Sequence, residues 1–371
     1  MKTSIKKGIK IALITLGALL IVLIGLGIWI SGGNKGAAAK SLPVVHGGPA
    51  YRIYEAIDSV SPLKLMHFVG QPQEINVSSS IVYGNTEAVV FAAQANKAAA
   101  SRLADEIEKL GRKLTYIYLG HAHLDHGQGA SILKQRFPEA KCIAAPKVAA
   151  IQNVRMEADD AMAIDRYGDN AAVPSVPFEA FDHDKIMLEG REIQLWHDYY
   201  GDVGIGHEDE PHTVAYIPDL KALLPNDICY YGGHMMTGGG TPHSLAEQRK
   251  QIKKWMQMDL EVVIPGHVPR GWTPHMTAEE VLKHSLQYLE AYETALRNSS
   301  SSDELIASML KKYPKLEHKS ALFLSARMHF GETHRLLFNP RLEKVMSWLP
   351  DATVKWLDKK MWESKKESMN L

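Results

Sequence analysis

The sequence predicts a layered α/β domain with a helical C-terminal extension, carried behind an N-terminal transmembrane helix. Three observations predict it. Strand-type apolar runs alternate with helix-type runs through the middle of the chain, helix periodicity takes over from Thr277, and the first 30 residues hold an uncharged apolar stretch behind four lysines. The composition suits a globular body: 371 residues, 45% hydrophobic and 23% charged, leave room for a large core. Lys plus Arg and Asp plus Glu both number 42, so no net charge draws a polyanion, and nucleic acid is not an expected partner.

The N-terminal segment comes first. Lys2, Lys6, Lys7 and Lys10 precede the apolar residues 11–30. As a helix rising about 1.5 Å per residue, that run spans roughly 30 Å, the thickness of a bilayer core. A cleaved signal usually has a shorter apolar stretch of about 7–15 residues, although Ala37-Ala38-Ala39 could serve a peptidase. The expected arrangement is a single-pass cell-membrane anchor. Its lysines keep the N-terminus in the cytoplasm and place the body outside, periplasmic or extracellular, or as a soluble exported form if the segment is cleaved. The division that follows is anchor 1–32, Gly/Ala/Ser/Lys-rich linker 33–45, core 46–275 and helical extension 276–371. Cys142 and Cys229 sit in apolar contexts and read as buried small hydrophobes.

Within the core, residues 88–93 read as a strand and 96–110 as a helix with Ala99, Leu103, Ile107 and Leu110 on one face, stopped by Gly111. Residues 113–119 form a nearly continuous apolar strand of the kind covered on both faces. A helix over 129–136 and a strand over 142–145 complete a βαβ unit. Strands at 213–217 and 222–224 flank a Pro218-Asp219 turn, and 244–258 is a helix with Ser244 and Glu247 as its capping box. A strand at 261–264 ends in Pro265-Gly266. Thr277 and Glu280 then cap a helix bearing Leu282, Leu286 and Leu289. After a polar break at 298–302, another helix runs to Pro314. The tail from Trp348 to Trp362, tryptophans among lysines, either packs on the body or rests on a membrane surface.

The chemistry gathers where the 113–119 strand ends, in Gly120-His121-Ala122-His123-Leu124-Asp125-His126-Gly127. Ligand sites of α/β sheets lie beyond the carboxyl ends of strands. In an extended segment His121 and His123 project to the same side and can share one metal, while Asp125 and His126 turn toward a second. His-x-His-x-Asp-His after a buried strand resembles the signature of the metallo-β-lactamase-fold hydrolases. Gly206-His207, Asn226-Asp227 and Pro265-Gly266-His267 follow in that family's order, and the match covers roughly residues 78–271.

The resemblance implies a four-layer αββα sandwich holding two divalent metal ions, most simply Zn2+, with iron or manganese as alternatives. His121, His123 and His207 would hold the first ion, Asp125, His126 and His267 the second, with Asp227 bridging. Two departures stand out. After His207 the chain reads Glu208-Asp209-Glu210-Pro211-His212 where the family commonly has His-Thr-Pro-Gly, so His212 is the rival third histidine; and Asn226 replaces the usual glycine before the bridging Asp. The implied activity is hydrolysis of an ester, lactone or related acyl bond in a small-molecule substrate by a hydroxide held between the metals, with Asp125 orienting it. Tyr230, three residues past Asp227, matches a tyrosine that meets the substrate in lactone-cleaving members. His234 resembles a histidine after a similar loop in a bacterial branch of the family. The alternatives are a β-lactam hydrolase of the same fold, a mononuclear iron sulfur dioxygenase and a non-catalytic metal-binding sensor.

Overall fold

A computed structural model describes residues 50–55, 61–203, 210–336 and 340–368. The apolar run 11–30, the linker and His207 therefore lie outside the described residues. Among the described ones no helix is long and apolar enough to cross a membrane.

The described residues open with an antiparallel meander where simple strand–helix alternation was expected. Strands β1 (Ala50–Glu55), β2 (Lys64–Val69), β3 (Ser78–Tyr83) and β4 (Glu87–Phe91) pair in sequence order. From β4 the pairing turns parallel, because helix α1 (Lys97–Leu110) carries the chain back before β5 (Lys113–Leu119). Helices α2 (Leu124–Gly127) and α3 (Ala130–Arg136) lead to β6 (Lys141–Ala144), and α4 (Pro146–Tyr167) to the short β7 (Glu179–Ala180). A second sheet holds β8 (Lys185–Leu188), β9 (Arg191–Tyr200), β10 (Pro211–Ile217), β11 (Ala222–Tyr230) and β12 (Val262–His267) in the order β12-β11-β10-β9-β8. Its parallel β11–β12 pair is bridged by α5 (Pro242–Trp255). The C-terminal part is helical throughout: α6 (Ala278–Asn298), α7 (Ser302–Lys312), α8 (Lys319–His329), α9 (Thr333–Leu336), α10 (Pro340–Met346) and α11 (Asp351–Ser368).

Period-two alternation sorts the first sheet's side chains into two cores. Leu65, Val82, Val89 and Tyr118 join Leu195, Val214 and Leu223 of the second sheet. Their neighbours Met66, Ile81, Val90 and Ile117 pack instead with Leu103, Ile107, Leu133 and Val148 of the helices. On the far side of the second sheet lie Ile252 and Trp255 of α5 and Val281, Leu282 and Leu289 of α6. The layers run helix, sheet, sheet, helix.

Local signals explain the ends. Asn96 accepts a hydrogen bond from the Ala99 amide at 3.0 Å, and Gly111 closes α1 at φ 64°. Helix α5 starts two residues earlier than expected. Thr241 is its N-cap and Ser244 the third residue of its capping box, with Pro242 in the first turn. Thr277 caps α6 through the Glu280 amide. Cys142 and Cys229 are both free and buried. Of the two readings of the tail, docking on the body is observed in part. The Asp358 carboxylate of α11 accepts from the backbone amide and ring Nδ1 of His334 at 2.7 and 2.8 Å, while Trp348 and Trp356 stay exposed.

Candidate metal centre

Both sheets contribute to one cluster. The chain leaves β5 at Gly120, whose backbone oxygen accepts from the Thr213 amide of β10 at 2.7 Å and so ties the two sheets together here. His121 follows, His123 is the N-cap of α2, and Asp125 and His126 ride in that helix. Asp227 lies inside β11, and Tyr230 at its end pairs in register with His267, the last residue of β12. Gly266 is required here by close approach. A Cβ at that position would collide with Oδ1 of Asp227, so only glycine lets the carboxylate lie against the β12 backbone.

Two groups of donors form. His121, His123, Asp202 and Asp227 each offer an atom within 4.8 Å of the others, and Asp125, His126 and His267 do the same. In the first, His123 Nδ1 is 3.5 Å from Asp202 Oδ2, and His121 Nε2 is 3.7 Å from Asp227 Oδ2 and 3.9 Å from Asp202 Oδ1. In the second, His267 Nε2 lies 3.4 Å from Asp125 Oδ2 and 3.4 Å from His126 Nε2. Asp227 joins the two groups, with Oδ1 3.3 Å from His126 and Oδ2 3.1 Å from His267.

Proton placement tests whether these residues fit cations. The ring nitrogens turned away from the cluster are donors, since each meets an acceptor: His267 Nδ1 on the Ile75 carbonyl at 2.8 Å, His212 Nδ1 on the Glu210 carbonyl at 3.2 Å, His123 Nε2 on the Glu210 carboxylate at 2.7 Å. In a neutral ring the inner nitrogen then presents a lone pair, and each of those faces a carboxylate oxygen. Lone pairs facing oxygens repel unless positive charge sits between; against the pull of burial, Asp202 and Glu210 raise His123, and Asp227 and Asp125 raise His267, well above the usual imidazole range, so those two rings take a proton where no cation serves. His121 discriminates. It is 1% exposed, and both its ring nitrogens lack a partner among the described residues. Burial, then the neighbouring His212, His126 and His123, hold it well below the usual imidazole range, so it does not carry a proton. The donor set fits divalent cations.

The surrounding charges agree. Burial opposes ionisation of Asp227, yet His267 and His126 beside it hold its carboxyl well below the ordinary range. Burial, with Asp202 and Asp227 beside it, pushes the Tyr230 phenol well above its usual value, so it remains a donor. Its hydroxyl donates to Asp227 Oδ2 at 3.0 Å and reaches Asp202 Oδ2 at 3.3 Å.

The structure thus brings together His121, His123, Asp125, His126, Asp227, His267 and Tyr230. His212 joins them, its ring stacked on His121 at 4.4 Å. His234 anchors its Nδ1 on the Tyr288 hydroxyl of α6 at 3.1 Å, its buried Nε2 has no partner among the described residues, and burial lowers its pKa to about 4. Two participants went unseen in the sequence. Asp202, 4% exposed, faces the first group, and Glu210 holds His123 from behind while Arg155 pairs with it at 3.1 Å. Neither stands at a ligand spacing from another donor; only the chain reversal between β9 and β10 brings them in.

The profile of a family described as the Metallo-beta-lactamase superfamily matches residues 76–267. No curated protein matches the chain in sequence. Among solved structures, a metallo-beta-lactamase family protein from Thermus thermophilus superposes with a TM-score of 0.51 at 16% identity, covering 72% of this chain and 91% of its own. A metallo-beta-lactamase from Pontibacter korlensis gives 0.45 at 17% identity, covering 64% and 99%. At such identities the first likeness speaks for the fold alone.

Proposed function

This chain belongs to the metallo-beta-lactamase superfamily, and on that premise we propose that it is a dinuclear metal hydrolase that cleaves an ester, lactone or related acyl bond of a small molecule. The observation that carries the reading is the convergence of His121, His123, Asp202 and Asp227, and of Asp125, His126 and His267, into two groups whose donor atoms lie within 4.8 Å of one another, with both buried His121 nitrogens unpartnered among the described residues. His121 and His123 would hold one cation, Asp125, His126 and His267 the other, and Asp227 would touch both. His207, the third histidine in the family's order, lies outside the described residues, and His212, its rival, stacks its ring on His121 and meets Asp202 through Nε2 at 3.1 Å. When bound, such a pair supplies a water of lowered pKa and a positive field for a developing oxyanion.

The chain's own residues divide the remaining work. The Asp125 side chain is 16% exposed and that of His123 11%, against 1% for Asp227, so reactants approach from the Asp125 side. Asp125 accepts a hydrogen bond from water there and passes the proton on to the leaving group. Tyr230, whose hydroxyl donates to Asp227 Oδ2, would turn that hydrogen bond toward the oxygen that gains charge. Glu210, anchored by Arg155, fixes the His123 tautomer. We also propose that residues 11–30 hold this domain at the outer face of a membrane; fractionation of the full chain with a carbonate wash checks this.

The test is a panel of esters, lactones, thioesters and β-lactams, run on metal-replete and chelated protein alongside Asp125→Asn. Turnover that disappears on chelation and falls at least about 100-fold in D125N supports the reading. A metal-loaded protein that binds acyl compounds yet turns over none of them would leave a sensor module as the better account. One iron per chain with oxygen consumption would favour the dioxygenase.

A further inference from the structure

We infer that Asp202 is an additional donor to the first cation, making that centre richer in oxygen than the three-histidine set implied by the sequence motif. The inference rests on the dinuclear reading above and concerns which cation the first site prefers. Asp202 is buried just past β9, and Gly201 before it is needed because a Cβ there would strike the His212 ring. Both carboxylate oxygens look into the cluster. Oδ1 lies 3.1 Å from His212 Nε2 and 3.9 Å from His121 Nε2, and Oδ2 lies 3.5 Å from His123 Nδ1. The remaining contact among the described residues is the Tyr230 hydroxyl.

A purely structural role would have Asp202 accept a proton from His212. That contact engages Oδ1 alone, whereas Oδ2 faces His123 Nδ1 at 3.5 Å and the Tyr230 hydroxyl at 3.3 Å. Nor does Asp202 have a guanidinium as Glu210 does: Arg155 is engaged by Glu210, Asp159 and the Ala122 carbonyl. A buried carboxylate needs positive charge close by. The one partner that Asp202, His121, His123 and Asp227 could share is a cation among their donor atoms, which lie within 4.8 Å of one another, and the buried His121 Nε2, unpartnered among the described residues, faces the same carboxylates.

With Asp202 and Asp227 the first centre offers two imidazoles and two carboxylates. Carboxylate oxygens suit manganese and ferrous iron, the harder ions, better than an all-imidazole set does. The prediction is a first site that discriminates less in favour of zinc than an all-histidine site.

The experiment titrates full-length protein with Mn2+ alone and Zn2+ alone, counting metal per chain by elemental analysis and affinity by calorimetry. Wild type should bind two equivalents of either ion. Asp202→Asn, of the same shape, should lose at least about tenfold in Mn2+ affinity at one of the two sites and less in Zn2+ affinity, while Asp202→Glu recovers part of the loss. D202N that keeps both Mn2+ equivalents at unchanged affinity overturns the role of Asp202 and leaves the dinuclear reading standing. Wild type that binds neither ion overturns both.

Discussion

His67 on β2 shows how burial alone sets a pH limit on this molecule. Its ring is 1% exposed, bonded to Ser78 Oγ at 2.9 Å, and burial, with some help from the Arg52 charge, lowers its pKa to about 3. The unfolded chain binds the proton near pH 6.5, the native chain only near 3. Stability is therefore whole above about 6.5 and drains away as pH falls toward 3, by up to about 1.4 kcal/mol per pH unit. Replacing His67 by Gln removes this term. Thermal melts between pH 7 and pH 4 should show a shallower decline for H67Q than for wild type, and parallel declines would show that other groups set the acid limit.

At the level of elements, the turn between β8 and β9 clips the two sheets together. The Glu189 carboxylate accepts from the amides of Asn85, Thr86 and Glu87 at 3.0, 2.6 and 2.9 Å, capping the β3–β4 turn of the opposite sheet. Burial works against its charge, yet these donors win and lower it to about 2. A depressed carboxyl stabilises above its unfolded value near 4.3 and stops doing so as pH falls through about 2. Glu189→Gln should cost about 1 kcal/mol at pH 7, and measurably less at pH 3, in urea midpoints. Such long-range clips are invisible in sequence, and the same limit governs what else could be read there. Strand β5 and helix α1 were legible because their periodicity, Asn96 cap and Gly111 stop all agree. The metal-ligating cluster was legible because its motif sits at strand ends. Helix α4 was not, since Gln152, Arg155 and Asp159 occupy its buried face and disguise the amphipathic pattern. Asp202 was missed for a related reason, as a lone carboxylate acquires meaning only when β9 and β10 fold back on His121.

Taken whole, the molecule does not separate cleanly at residue 276. Tyr288, Leu289, Tyr292 and Leu305 from the extension belong to the same core as Ile228, Cys229 and Trp255 of the two-sheet body. Each such side chain contributes ~2–5 kcal/mol, and the four together are comparable with the ~5–15 kcal/mol that holds a typical domain. Truncation after His275 should give aggregated protein without a cooperative melt; a soluble, cooperatively folded product would make the extension an independent unit. Ser285 sharpens the point, since its Oγ hydrogen-bonds both the amide and the carbonyl of Tyr230, so the extension grips the strand end that carries the phenol.

The donors also come from both sides of the sandwich: His121, His123, Asp125 and His126 follow β5 of one sheet, while Asp227 and His267 belong to the other. A pair of cations would act there as a rivet through two plates, and the plates must already be stacked before the holes line up. Metal uptake then becomes a late event in the life of the chain, one that locks a finished assembly against shear instead of guiding its formation.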